Sequence, residues 1–168
     1  SQSRMSPAGI PMFYGAIDEA TARAETLAAD DARHSMALFR LGRAVHVLDL
    51  TKSTTISLFD AKRQSFYDWA IFMQKFRHDI RRRVKKDDRI HIEYVPTQIV
   101  TEYFRSFLKT QRGKPIDGIL YRSATHTAKV CVALFADTND VAPTPTNEGK
   151  QETASNHLLQ LISLTEHK

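Results

Sequence analysis

Cysteine is almost missing from this chain: Cys131 is the only one in 168 residues, so no internal disulfide can form. It sits in the apolar run Val130–Phe135 and reads as a buried hydrophobe. CxxC and HExxH are both absent, and His34, His46, His78, His91, His126, His157 and His167 are scattered along the chain, which gives a metal site little support. No apolar run approaches the roughly 20 residues that span a bilayer. The N-terminus lacks the basic-then-apolar design of a signal peptide, so a cytoplasmic protein is expected. Repeats and low-complexity arrays are also missing.

What is present has the balance of one globular domain. The 42% hydrophobic and 26% charged content over 168 residues is enough to bury a sizeable core. A net charge of +5 suits nucleic acid, an acidic partner or an anionic cofactor equally well.

The most informative stretch is Arg4 to Glu25, RMSPAGIPMFYGAIDEATARAE. Pro7, Gly9 and Pro11 punctuate a turn, and Met12-Phe13-Tyr14 is a short apolar run with strand character. Asp18 is a helix N-cap, followed by the helix-favouring Ala20, Ala22, Ala24, Leu27 and Ala28. Glu25 on that helix is, by residue type alone, a solvated glutamate.

Further on, the runs 35–41 and 44–50 flank Gly42-Arg43 and read as a β-hairpin. From Asp60 to about Lys86, Phe66, Trp69, Ala70, Met73, Phe76 and Ile80 recur at helical spacing. This helix ends in Arg77, Arg81, Arg82, Arg83, Lys85 and Lys86, where cations complement the helix dipole. Ile90–Tyr94 alternates and reads as a strand. Pro96 then starts a helix through Leu108, with Ile99, Val100, Tyr103, Phe104 and Phe107 as its buried face. Asp117–Ser123 and Val130–Phe135 read as strands. Residues 137–156 are rich in Thr, Asn, Pro and Glu and read as a flexible linker, and residues 157–168 form a last apolar element that could dock on the domain or on a partner.

Three separated segments together resemble the RES domain, named for an arginine, a glutamate and a serine. The first is Arg-x-x-Pro-x-Gly-(apolar)-Pro-(apolar)2-Tyr from Arg4 to Tyr14, with Glu25 eleven residues later. The second is Tyr94-Val95-Pro96-Thr97-Gln98. The third is Asp117-Gly118-Ile119-Leu120-Tyr121-Arg122-Ser123, ending on the serine. The resemblance implies an α+β fold, a mixed and largely antiparallel central sheet with flanking helices related to ADP-ribosyltransferases, over residues 1–136. RES domains are toxins of Xre-paired toxin–antitoxin modules that consume NAD, so NAD as substrate is implied, with an antitoxin as partner. Met5-Ser6 stands where RES toxins often have Trp-Asn, as in larger RES proteins with an N-terminal HEPN-type domain. An upstream strand and arginine of the family have no counterpart before Arg4. The polar loop 124–129 departs from the Gly/Asn-containing loop of the family.

The chemistry explains why such residues would be needed. Breaking the nicotinamide–ribose bond develops positive charge on the ribose, which a carboxylate can stabilise while cations hold the pyrophosphate. Glu25 suits the first role and Arg4 the second. Tyr14 can flank the nicotinamide or ribose, and Ser123 can hydrogen-bond the ligand. The products would come from hydrolysis, phosphorolysis or ADP-ribose transfer. A different reading makes the chain a catalytically silent binding module, gripping nucleic acid or a protein through Arg77–Lys86. A homo-oligomer is compatible with either.

Overall fold

A computed structural model describes residues 3–26, 34–52, 63–82, 90–125, 129–142 and 157–167. The fold is α+β, with a mixed, mostly antiparallel four-stranded sheet at its centre. Its strands are β1 (Phe13–Ala16), β3 (Val47–Asp49), β4 (Gly118–Arg122) and β5 (Val130–Leu134), in the order β1-β5-β4-β3. Within this sheet, among the described residues, only the β3–β4 pair is parallel. A second sheet, which the sequence reading did not foresee, has the order β2-β7-β6, from β2 (His34–Leu41), β6 (Val141–Ala142) and β7 (Leu159–His167).

Each face of the central sheet has its own cover. Opposed residues in a ladder share a face, and the register Tyr14↔Ala133↔Ile119 and Ala16↔Cys131↔Tyr121 sets one of them. Helices α2 (Tyr67–Arg81) and α3 (Ile90–Phe107) lie over it. Met5, Phe76, Ile80, Phe104, Ile119 and Ala133 form the core there. On the other face Leu134, with Phe13 and Val132, packs against Leu158, Leu159 and Phe39 of the second sheet. β4 and β5 approach closely because Gly118 has no side chain: a Cβ there would lie 2.3 Å from the Ala133 carbonyl oxygen.

Three expectations need correction. The two runs around Gly42 are strands but not a hairpin, because β2 pairs with β7 along its whole length and β3 pairs with β4. The apolar C-terminal element offers β2 a longer ladder than its own neighbour could, and Gly42 N–H donates to Leu158 O, 3.0 Å. Ile90–Tyr94 is not a strand but the first turns of α3, which runs through Pro96. Its alternation is not a burial pattern, since Ile92 and Glu93 are both exposed.

The third correction concerns which side of α3 is inside. Thr97, Gln98, Thr101 and Phe104 are buried, whereas Ile99 is 64% and Phe107 68% exposed, with Tyr103 also outward. The polar stripe faces in because it has partners there. Thr97 Oγ1 donates to Arg4 O, 2.6 Å, and Gln98 Nε2 donates to Ser3 O, 2.8 Å, and Ser6 O, 3.3 Å. Backbone carbonyls of the N-terminal turn thus select amide and hydroxyl groups over aliphatic ones.

Asp137–Asp140 is a capped 3-10 turn leading into β6. The remainder of the linker reading, 143–156, lies outside the described residues, as do Arg83, Lys85 and Lys86. Among the described residues no helix is long and apolar enough to cross a membrane.

Candidate active site

The turn that opens the site is fixed by Gly9, whose φ of +86° meets the third-position requirement of a turn closed by Ile10 N–H to Pro7 O, 3.2 Å. Met5 and Ser6 are buried: Met5 fills the core beside Phe76 and Phe104, and the Ser6 hydroxyl bonds Ile10 O. β1 follows, then α1 (Glu19–Thr26). Asp18 is its N-cap, as expected, taking the Thr21 N–H at 3.0 Å and the Thr21 hydroxyl at 2.9 Å. Lys129 Nζ, 3.4 Å from Asp18 Oδ2, ties this cap to the start of β5.

The last turn of α1 brings Glu25 to the end of β4. There Ser123, fully buried, donates its hydroxyl to Glu25 Oε1. The same oxygen accepts the backbone N–H of Ala124 at 2.8 Å and of Thr125 at 3.3 Å, and the Thr125 hydroxyl at 3.1 Å. Oε2 has no protein donor among the described residues. Burial pushes the Glu25 carboxyl up, but the donors from Ser123, Thr125 and Ala124 outweigh it and hold the carboxyl below its ordinary value. Glu25 is therefore an oriented carboxylate, fixed by one oxygen and open at the other.

Glu25 and Ser123, 98 residues apart, are thus brought into direct contact. Arg4 is placed differently. Its Nη1 donates to the Ile80 carbonyl at 2.6 Å, and its guanidinium lies 5.7 Å from the centre of the Tyr94 ring. These contacts pin the end of α2 to the start of α3, so part of the Arg4 donor set is structural. Tyr14 is 38% exposed and its hydroxyl meets that of Ser3. Burial raises its phenol above the ordinary value, with the Ser3 bond opposing.

Tyr121 is the residue the sequence reading passed over. It lies on the helix-covered face of β4, two residues before Ser123, opposite Cys131. Burial raises its phenol strongly, the neighbouring Cys131, Glu25 and Tyr14 push the same way, and Arg4 opposes. The hydroxyl therefore stays a neutral donor, in electrostatic reach of three of the residues chosen from sequence. The available signal was strand alternation: Tyr121 and Ser123 must share a face. Cys131, by contrast, is no nucleophile at neutral pH, since burial, then Glu25 and Asp18, push its thiol up to about 11.

Two small hollows flank the α2 terminus. One, of about 250 Å³, is lined by His78, Arg81, Arg82 and Ala124. The other, of about 200 Å³, is lined by Arg4, Asp79, Arg82, Glu93, Tyr94, Pro96 and Thr97. A larger cavity of about 590 Å³ lies between the N-terminal turn, Tyr14 and Asp137–Thr138.

Residues 1–155 match the family described as the RES domain. No curated protein and no solved structure matches the chain.

Proposed function

The chain belongs to the RES domain family, and from that membership and the geometry of Glu25 we propose that it consumes NAD by breaking the nicotinamide–ribose bond. The observation that carries this reading is the carboxylate anchored through Oε1 by Ser123, Ala124 and Thr125, with Oε2 left to face a ligand. As nicotinamide departs with the bonding electron pair, the ribose carbon becomes cationic. A fixed carboxylate stabilises that charge without reorganising at the moment of reaction. Water, phosphate or an acceptor side chain then bonds to the same carbon and loses a proton, giving ADP-ribose, its phosphate ester or an ADP-ribosylated target.

Ser123 acts in this reading by orienting Glu25, not as a nucleophile. Tyr14 and Tyr121 supply neutral aromatic and hydroxyl surface for the nicotinamide and ribose. Arg4 contributes cationic field from one wall. A toxin of this kind works in the cytoplasm, restrained by an antitoxin, and a HEPN-type domain or a second copy of the chain are further partners consistent with the family resemblance.

The direct test is to incubate the protein with NAD, with and without phosphate, and to identify the products. Loss of NAD with release of nicotinamide is expected, and the phosphate arm separates hydrolysis from phosphorolysis. Intact NAD in both arms, combined with salt-sensitive nucleic-acid binding, would favour the basic binding-module reading instead.

A further inference from the structure

The hollow between the end of α2 and the Ser123–Thr125 loop has a composition that the carboxylate chemistry does not account for. Its walls are His78, Arg81, Arg82 and Ala124. Ala124 is the residue whose backbone N–H holds Glu25 Oε1. The hollow is therefore next door to the oriented carboxylate.

Three arginines described around this helix end, Arg4, Arg81 and Arg82, are in different states. Arg4 is bonded to the Ile80 carbonyl. Arg82 pairs with Glu93, Nη2 to Oε2 3.0 Å, and its backbone N–H closes on His78 O at 3.0 Å and Asp79 O at 3.3 Å. The carbonyls of the last turn thus have donors without any help from the Arg81 side chain. Arg81 Nε is buried and has no hydrogen-bond partner among the described residues, a costly state for a guanidinium N–H unless a ligand completes it.

We propose that this hollow is the pyrophosphate subsite of the dinucleotide, with Arg81 as its principal ligand-binding residue and His78 and Arg82 beside it. This rests on the NAD reading above and sharpens it, because it moves the phosphate contact from Arg4 to Arg81. A volume of about 250 Å³ is below that of a whole drug-sized ligand site, typically 300–1,000 Å³, and it suits a diphosphate while the sugars extend beyond. A guanidinium offers the forked donor geometry that phosphate oxygens take up. Seated there, the pyrophosphate would lie beside the loop that fixes Glu25, so the adjoining ribose reaches the free carboxylate oxygen.

Titration calorimetry with inorganic pyrophosphate and with ADP-ribose, on the whole chain, tests this independently of turnover. Both probes should bind, and Arg81→Gln should weaken each by about ten- to a hundredfold, with the KM for NAD rising by a similar factor. Arg81→Lys should recover part of the loss. Ala124→Asp, which places a carboxylate at the hollow without touching Arg81, should weaken pyrophosphate binding as well. Arg40→Gln, on the far sheet and bonded to Gln160, should change neither affinity. Unaltered pyrophosphate affinity in folded Arg81→Gln, no pyrophosphate binding by the unsubstituted chain, or Arg81-dependent binding confined to long nucleic acids would each overturn the subsite. The two proposals fail separately. Arg81-dependent pyrophosphate binding without NAD loss keeps the subsite and removes the reaction, whereas NAD loss with an unchanged KM in Arg81→Gln keeps the reaction and removes the subsite.

Discussion

The two faces of the central sheet are built from the same three antiparallel strands and differ in where their polar groups fall. One presents Tyr14, Cys131 and Tyr121, leads on to Ser123, and is roofed by α2, α3 and the N-terminal turn. The other presents Phe13, Val132 and Leu134 and is closed by a second sheet made partly from the last strand of the chain. A strand alternates its side chains strictly, so a single register places the Tyr14 and Tyr121 hydroxyls and the Cys131 sulfur, together with Ile119 and Ala133, on one side and Phe13, Val132 and Leu134 on the other. Each face has an apolar core of its own, one under α2 and α3 and one against the second sheet. The helix-covered face, held from behind, can present polar groups in fixed positions.

Substitutions should separate the two faces. Leu134 is buried in the inter-sheet core, and Leu134→Ala should cost about 2–5 kcal/mol of stability through lost burial and a cavity. Chemical denaturation would read that loss, while NAD turnover per folded molecule should hold; a fall in kcat of the folded variant would mean the faces are not independent. Glu25→Ala is the converse. Turnover should fall by about a hundred- to a thousandfold while the unfolding midpoint moves less than in Leu134→Ala, because Glu25 lies at the exposed end of α1 and the buried Ser123 hydroxyl keeps Thr125 Oγ1 as a partner. NAD consumption at the unsubstituted rate would remove Glu25 from the reaction.

The helix-covered face was the more legible of the two in the sequence. Arg4, Tyr14, Glu25 and Ser123 stand in ordered, separated segments, and Asp18 marked the start of the helix that carries Glu25. What stayed hidden depended on partners far along the chain. The pairing of β2 could not be read locally, because its ladder is with a strand over a hundred residues away. The inner side of α3 was only partly legible: apolar periodicity marks Val100 and Phe104, which pack inward, together with Ile99, Tyr103 and Phe107, which do not, and the core side is chosen also by the carbonyls of Ser3, Arg4 and Ser6. Hydropathy does not register a polar stripe with waiting acceptors. Arg81 was visible only as one of six basic residues, and its difference from Arg82 lies in Glu93, which pairs with one and not the other.

That buried polar stripe gives the next effect in size. Thr97→Val removes the donor to Arg4 O and keeps the shape of the side chain. Leaving a buried carbonyl unpaired should cost about 1–3 kcal/mol, roughly 2–4 °C in Tm per kcal/mol for a domain of this length. A loss of that kind with a raised KM for NAD would show that the N-terminal turn positions the ligand. Equal or greater stability in Thr97→Val would mean that the helix orientation is set by something other than these bonds.

The smallest effect is a shift along the pH axis. The Glu25 carboxyl is buried enough to be raised, yet the donors from Ser123, Thr125 and Ala124 hold it below its ordinary value of 4.5. A carboxyl depressed in the fold contributes stability that is complete above its unfolded pKa and is lost as pH falls through the folded one. The acid limb of NAD turnover should accordingly lie below pH 4.5, provided the rest of the fold survives there. Ser123→Ala deletes one donor to the charged form, so the carboxyl must titrate higher and the acid limb must move toward neutral pH. At pH 7 the carboxylate is still ionised, and the variant should keep most of its turnover if Ser123 only orients Glu25. An unshifted acid limb with turnover abolished at pH 7 would instead give Ser123 a direct contact with the substrate, and the helix-covered face would then present two reacting groups where the hydrogen bonds argue for one.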